Sequence, residues 1–441
     1  MAAVSCKVIE KPVLSANNDL YRNLEISDSA NMAEVPWREI FTDPYLQSII
    51  DTALAGNPGV RIAIARIKKA EAAYRQSGAE FFPSLNAGAN ASFQSETGGF
   101  GIPESYQVFG STSWEADIWG KFRNSRRAAL ANLMASEAFR RAVVTDLVSS
   151  VAMNYYTLLA LDAQLAITEQ TLGRRIRNVE VMELLKQNDV ITGADLVLSQ
   201  ANRYSAEVTI PDLKQRIYET ENNLRLLMGE SPGEIQRSTL DEQDLAPELQ
   251  TGVPVQLLSN RPDVLEAEYR LRSSYEMARV ARSNFYPSLT LNGRGGLTET
   301  SIEALFSSPV IFWNITAGLL QPIFNFGLNR QRFATAKADI EESQAAFRRT
   351  LLNAGSEVVN AMHGYQSATD KIGIRQNQIG YLEKAVEYTT ELLKYTSNTS
   401  YIDVLTSEVN LLSAQLAGVN DRLQQLQSIV ELYRSLGGGW R

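Results

Sequence analysis

The chain has 441 residues, with Lys+Arg 42 against Asp+Glu 50, a net charge of -8 and a hydrophobic fraction of 44%. Those values exclude wholesale disorder, and an acidic chain without a Lys/Arg-rich block is a poor nucleic-acid binder. One Cys excludes a disulfide framework and a Cys-based zinc cluster, and one His, His363, argues against a His-ligated metal centre or a His-based triad.

The opening Met1-Ala2-Ala3-Val4-Ser5-Cys6 lacks the charged start and apolar run of a complete signal peptide. Small residues directly before a Cys resemble the end of a bacterial lipoprotein signal. On the residues alone, Cys6 is either a lipidated first residue of a mature protein or an incidental free thiol. The polar, aperiodic stretch Lys7 to Val35 reads as a tether or belt, and residues 1–43 are assigned to it.

A helix is expected from about Pro58 to Glu80, with Pro in its first turn and Ala63, Ala70 and Ala73 at helical spacing. Two strands with period-two alternation follow, Leu85 to Gln94 and Gln107 to Ile118, around a Gly98-Gly99-Phe100-Gly101 turn. From Phe122 to about Gln187 there is no Pro, and Gly173 is the only Gly. Such a stretch reads as one helix roughly 100 Å long, far beyond a globular helix. A further helix is expected from Ala194 to Met228, kinked at Pro211.

The same order recurs. Arg261-Pro262-Asp263-Val264 parallels Asn57-Pro58-Gly59-Val60, and Tyr286-Pro287-Ser288-Leu289 parallels Phe82-Pro83-Ser84-Leu85. Strands are expected at Leu289 to Thr298 and Ile311 to Phe324, a second rod from Leu328 to Tyr395, and a last helix from Ile402 to Leu436. Ala138-Phe139-Arg140-Arg141 recurs as Ala346-Phe347-Arg348-Arg349, and Glu183-Leu184-Leu185-Lys186 as Glu391-Leu392-Leu393-Lys394, in constant register. The expected organisation is therefore a first repeat over 44–230, a linker over 231–254 and a second repeat over 255–441.

The longest apolar region, Val310 to Phe326, is interrupted by Asn314, Gln321 and Pro322, so no transmembrane helix is expected. Strands with one apolar and one polar face, flanked by Trp114, Trp119, Phe312, Trp313 and Phe324, suit a membrane barrel wall as well as a soluble hairpin. Four strands cannot close a barrel, and an open sheet in lipid has forbidden edges. Three copies would supply twelve strands, and the rods would then tile a hollow helical cylinder.

At this point the chain resembles the TolC-like outer-membrane efflux factors, of the lipoprotein subgroup that includes NodT, CusC and OprM. The residues carrying the resemblance are Asn57-Pro58, Phe82-Pro83-Ser84-Leu85, Asp117-Ile118-Trp119-Gly120, Arg261-Pro262-Asp263-Val264, Tyr286-Pro287-Ser288-Leu289, Pro322-Ile323-Phe324, Asp403-Val404-Leu405 and Leu436-Gly437-Gly438-Gly439-Trp440. The resemblance implies a mainly α fold with a membrane β part: a trimeric 12-stranded β-barrel continuous with a long α-helical barrel. It implies a passive export duct across periplasm and outer membrane, with no cofactor and no catalysis. The implied partners are two further copies, a periplasmic adaptor (membrane fusion) protein, an inner-membrane pump of RND type and outer-membrane lipid. It also favours lipidation of Cys6.

Thr192-Gly193-Ala194-Asp195 and Ser400-Tyr401-Ile402-Asp403 occupy equivalent places, each a Ser/Thr-x-x-Asp helix start. The resemblance places these turns at the periplasmic end, with Asp403, and secondarily Asp195, lining the constriction. Thr192, Gly193, Ser400 and Tyr401 would form the turns that meet the adaptor. The chain departs from the family pattern at Thr406, where a second acid is common, and at Asp189 and Ser397, where Gly is usual. No P-loop, GxSxG, HExxH or CxxC motif is present. The competing reading is a periplasmic coiled-coil adaptor or scaffold without a pore, which would bury the apolar strand faces instead of exposing them.

Overall fold

A computed structural model describes residues 32–93, 104–243, 260–395 and 401–440. Cys6, the Gly98–Gly101 turn and Ser400 lie outside the described residues, as do Ser397 and much of the 231–254 linker. The described chain is mostly helical and divides into two compact units. Residues 65–138 and 266–349 form a strand-bearing unit, and 32–64, 139–265 and 350–440 form a helical one.

The element order begins with a 3-10 turn at Met32–Glu34 and short helix α1 (Trp37–Ile40), then α2 (Pro44–Gly56) and α3 (Pro58–Ala79). Strands β1 (Ser84–Phe93) and β2 (Glu104–Ala116) precede α4 (Lys121–Gln187), α5 (Gly193–Glu207) and α6 (Thr209–Met228). The second passage runs α7 (Pro262–Ser283), β3 (Ser288–Glu299), α8 (Ile302–Ser307), β4 (Val310–Leu320), α9 (Leu328–Tyr395) and α10 (Tyr401–Ser435). The rods α4 and α9 have 67 and 68 residues, about 100 Å each at the α-helical rise. Among the described residues no helix is long and apolar enough to cross a membrane.

Four elements differ from expectation. The last strand, β4, ends at Leu320 and not at Phe324, because Pro322 cannot donate to a ladder. The helix α2 is not singled out by hydrophobic period, yet Asp43 and Pro44 mark its start: the Asp43 carboxylate accepts from the Tyr45 and Leu46 amides, and Pro occupies the first turn. The stretch 194–228 is two helices parted at Val208, not one helix kinked at Pro211. Pro211 falls in the first turn of α6, where a missing N–H costs nothing, so the chain breaks ahead of the ring. The short α8 is capped by Ser301, whose hydroxyl accepts from the Ala304 amide.

In the strand-bearing unit the sheet order is β1-β2-β3-β4, antiparallel throughout. The second strand of one hairpin therefore pairs with the first strand of the other. The β2–β3 seam is rich in glycine, with Gly110 opposite Gly295 and Gly293 and Gly296 flanking. A Cβ at Gly296 would collide with the Val108 carbonyl and lie 2.6 Å from the Phe109 Cα. Beside the seam the Arg294 guanidinium sits 3.7 Å over the Phe109 ring and donates to Gln107 at 3.0 Å. Asp117 then starts α4, its carboxylate accepting from the Phe122 and Arg123 amides at 3.0 and 3.1 Å. Gly120 takes the left-handed turn between them. Trp119 stacks on Tyr286 at 4.7 Å and donates to the Pro287 carbonyl, which accounts for two of the motifs at the strand ends.

In the helical unit the core includes Phe41, Leu46, Ile50, Tyr155, Leu158, Leu159, Leu224, Leu432 and Tyr433, all buried. Helix ends are closed by matching devices. The Asn57 side chain donates to the Leu227 carbonyl at 2.7 Å, beside left-handed Gly229, whose Cβ would lie 2.5 Å from the Gly56 carbonyl oxygen. Arg261 donates to the Ser435 carbonyl at 2.8 Å, beside left-handed Gly437, whose Cβ would lie 2.5 Å from the Asn260 carbonyl oxygen. Arg261 is buried and held by Asp263 and Glu357.

Candidate functional site

The residues singled out in the sequence fall in two regions: the sheet and the starts of α5 and α10. In the sheet, pairing fixes which side chains share a face. One face is formed by Leu85, Ala87, Ala89 and Ala91 of β1 and by Val108, Gly110, Thr112 and Trp114 of β2. It continues through Leu289, Leu291 and Leu297 of β3 to Ile311, Trp313, Ile315 and Leu319 of β4. The same pairing places Tyr106 of β2 and Glu299 of β3 at the end of this face. The other face carries Asn86, Asn90, Gln107, Ser111, Ser113, Thr290, Asn292, Arg294, Asn314 and Thr316, with Ser113 donating to Asn292 at 2.7 Å. The apolar face is not covered: Leu85 is 83% exposed, Trp313 77%, Ile315 69% and Leu319 70%.

At the start of α5, the Thr192 amide donates to Asp195 Oδ2 at 3.0 Å and the Asp195 amide to Thr192 Oγ1 at 3.2 Å. This is a reciprocal capping box, and a carboxylate in the first turn also suits the helix dipole. Gly193 is exposed, and a Cβ there would meet nothing within 4 Å. At the start of α10, Asp403 is an exposed first-turn residue whose carbonyl accepts from the Ser407 hydroxyl at 2.9 Å. Tyr401 instead faces inward, 5% exposed. Burial pushes its hydroxyl above the ordinary phenol range, against the lowering influence of neighbouring Ser199 of α5.

The structure adds residues that sequence reasoning missed. Two turns beyond Tyr401 on the same helix, Glu408 is buried, with Asn178 of α4 donating to its Oε1 at 2.7 Å. Burial holds its carboxyl above the ordinary carboxylate range, against the lowering influence of Asn178, Arg175 and Arg174. Arg175 is buried too and donates to the Asn202 carbonyl of α5 at 2.6 Å. The available signal was a charge inside an apolar stripe: Arg175 lies on the face of α4 that carries buried Thr171, Val179 and Met182.

Residues 49–230 and 253–438 match the model of the outer membrane efflux protein family. The chain belongs to that family. It is 30% identical over 418 residues to the antibiotic efflux pump outer membrane protein ArpC of Pseudomonas putida, covering 92% of this chain and 86% of that one. It is 28% identical over 428 residues to the cation efflux system protein CusC of Escherichia coli, covering 96% of this chain and 92% of that one. Its fold superposes on the open state of the MtrE outer membrane channel of Neisseria gonorrhoeae with a TM-score of 0.85, at 25% identity, covering 96% and 95% of the two chains. The protein is thus the outer-membrane component of an efflux system, a duct in the outer membrane and not an enzyme. Members of the family work with an adaptor and an inner-membrane pump.

Proposed function

We propose that three copies of this chain close a 12-stranded barrel in the outer membrane, continuous with a helical barrel in the periplasm, through which a partner pump of RND type drives its cargo. The observation that carries this reading is the uncovered apolar sheet face combined with β1 and β4 left as edges. Lipid satisfies such a face, and pairing β4 of one copy with β1 of the next removes every edge. The scaffold alternative needs that face covered, and among the described residues it is exposed.

Each copy contributes two structural repeats, 44–230 and 255–441, joined by the 231–254 linker. The paired helix closures, Asn57 with Gly229 and Arg261 with Gly437, support this division. Residues 1–43 lead from a lipidated Cys6. Asp403 forms an anionic ring at the periplasmic constriction, with Asp195 behind it. The turns bearing Thr192, Gly193, Ser400 and Tyr401 meet the adaptor. The inward-facing Tyr401 serves that turn as a support and not as a contact.

Reconstitution of the full chain in planar bilayers tests the reading. The expected result is a trimer with a cation-preferring conductance, and Asp403→Asn is expected to lower the cation preference without lowering trimer yield. A water-soluble monomer without conductance overturns it.

A further inference from the structure

Three buried polar side chains and one half-buried one, around the starts of α5 and α10, form a cluster that capping and apolar packing leave unexplained. Glu408 of α10, Arg175 and Asn178 of α4 and Ser199 of α5 are drawn from three helices separated in sequence. Glu408 is 8% exposed and Arg175 5%. Only one carboxylate oxygen of Glu408 is used, by Asn178; its Oε2 is enclosed without a hydrogen-bond partner. The Arg175 Nε is likewise enclosed without a partner, its Nη1 being held by the Asn202 carbonyl. Among the ion pairs of the described residues, none joins Arg175 to Glu408. A buried carboxylate with one oxygen unanswered strongly disfavours its own charge.

We infer that Glu408 is a proton-operated clamp: neutral, it fastens the first turns of α10 to α4 and α5; ionised, it loosens them and frees Asp403 to move. The inference rests on the constriction role proposed for Asp403. The groups acting on Glu408 are Arg174 and Arg175 from α4, with Asn178, and Tyr401 from its own helix; α5 presents Ser199 toward Tyr401 and the Asn202 carbonyl toward Arg175. Asp403 lies five residues before Glu408, roughly 7.5 Å along the helix, so a shift of the clamped turn is transmitted directly.

The sign follows from linkage. A carboxyl raised above its free value binds its proton more tightly when packed, so packing is strongest at acid pH and weakens as pH rises from the ordinary carboxylate value through the raised one. Separating the helices hydrates the carboxylate and relieves the cost.

Two measurements on the full chain test the clamp. Single-channel open probability is recorded from about pH 5 to about pH 8, the range a buried carboxylate can span. The wild type is expected to open several-fold more often toward the alkaline end. Glu408→Gln keeps an acceptor for Asn178 and removes the charge; it is expected to stay at the acid-side level throughout. Independently, hydrogen exchange of residues 401–411 in detergent, corrected for intrinsic rates, should quicken with pH in the wild type and remain slow in Glu408→Gln. Asp403→Asn, which alters the constriction but leaves the clamp, should keep the wild-type exchange profile. Exchange that is flat in the wild type, or that follows the same pH profile in Glu408→Gln, overturns the clamp even where conductance and its dependence on Asp403 are as proposed. Absence of conductance overturns the duct reading and leaves the exchange experiment decisive for the clamp.

Discussion

Asp43 shows how much one side chain can organise. It caps α2, and its other oxygen accepts from Tyr155 at 2.7 Å, from Gln243 at 2.8 Å and from Ser238. Burial pushes this carboxyl upward, but the hydrogen bonds from Ser238, Tyr155, Gln243 and the Tyr45 amide together outweigh it and lower the pKa. Its contribution to stability is therefore present above the free carboxylate pKa and is lost as pH falls through the lowered value. Asp43→Ala is expected to lower stability by about 3 kcal/mol, since it strands several buried donors, and a fall in Tm at neutral pH checks this. The change at Asp195 is smaller: Asp195→Ala removes half of a capping box and should cost about 1 kcal/mol, read as faster hydrogen exchange confined to the first turn of α5. The capping pair was legible in sequence because its partners are three residues apart. Glu408 was not, because its partner Asn178 is 230 residues away and only the packed helices bring them together.

Among the elements, the rods were the most legible part. Long stretches free of Pro and nearly free of Gly leave helix as the cheapest conformation, and the observed ends lie within one residue of those expected. Helix α2 was missed because its signal is a local Asp-Pro start and not a long period. The break at Val208 was missed because Pro tolerates a first turn better than a kink. Strand faces were legible in each strand separately, but the β2–β3 pairing was not, since nothing local in either hairpin specifies its neighbour. The faces yield a paired test. Ile315→Arg, on the exposed apolar face, is expected to cost about 2–4 kcal/mol in membrane assembly, whereas Asn314→Arg on the opposite face should be tolerated. Trimer recovered from outer-membrane fractions distinguishes them. Within the helical unit, Gly229→Ala forces a Cβ onto a left-handed residue 2.5 Å from the Gly56 oxygen, and a loss of about 2 kcal/mol by thermal unfolding is expected.

For the whole molecule, family membership leaves the cargo open. The family matches include an antibiotic efflux protein and a cation efflux protein at nearly equal identity, 30% and 28%, so overall sequence likeness alone does not separate those cargoes. The described chain agrees with a wall more than with a selective pocket, because one face of its sheet is apolar and exposed while the other carries most of the polar side chains. The glycine-lined join between the two hairpins has a further consequence. Strands stripped of side chains where they meet can crease, as bulky neighbours cannot. In the proposed trimer such a join would recur three times around the pore. Gly296→Val would drive a side chain into the Val108 carbonyl and pry β2 from β3, so each of the three joins would be weakened at once.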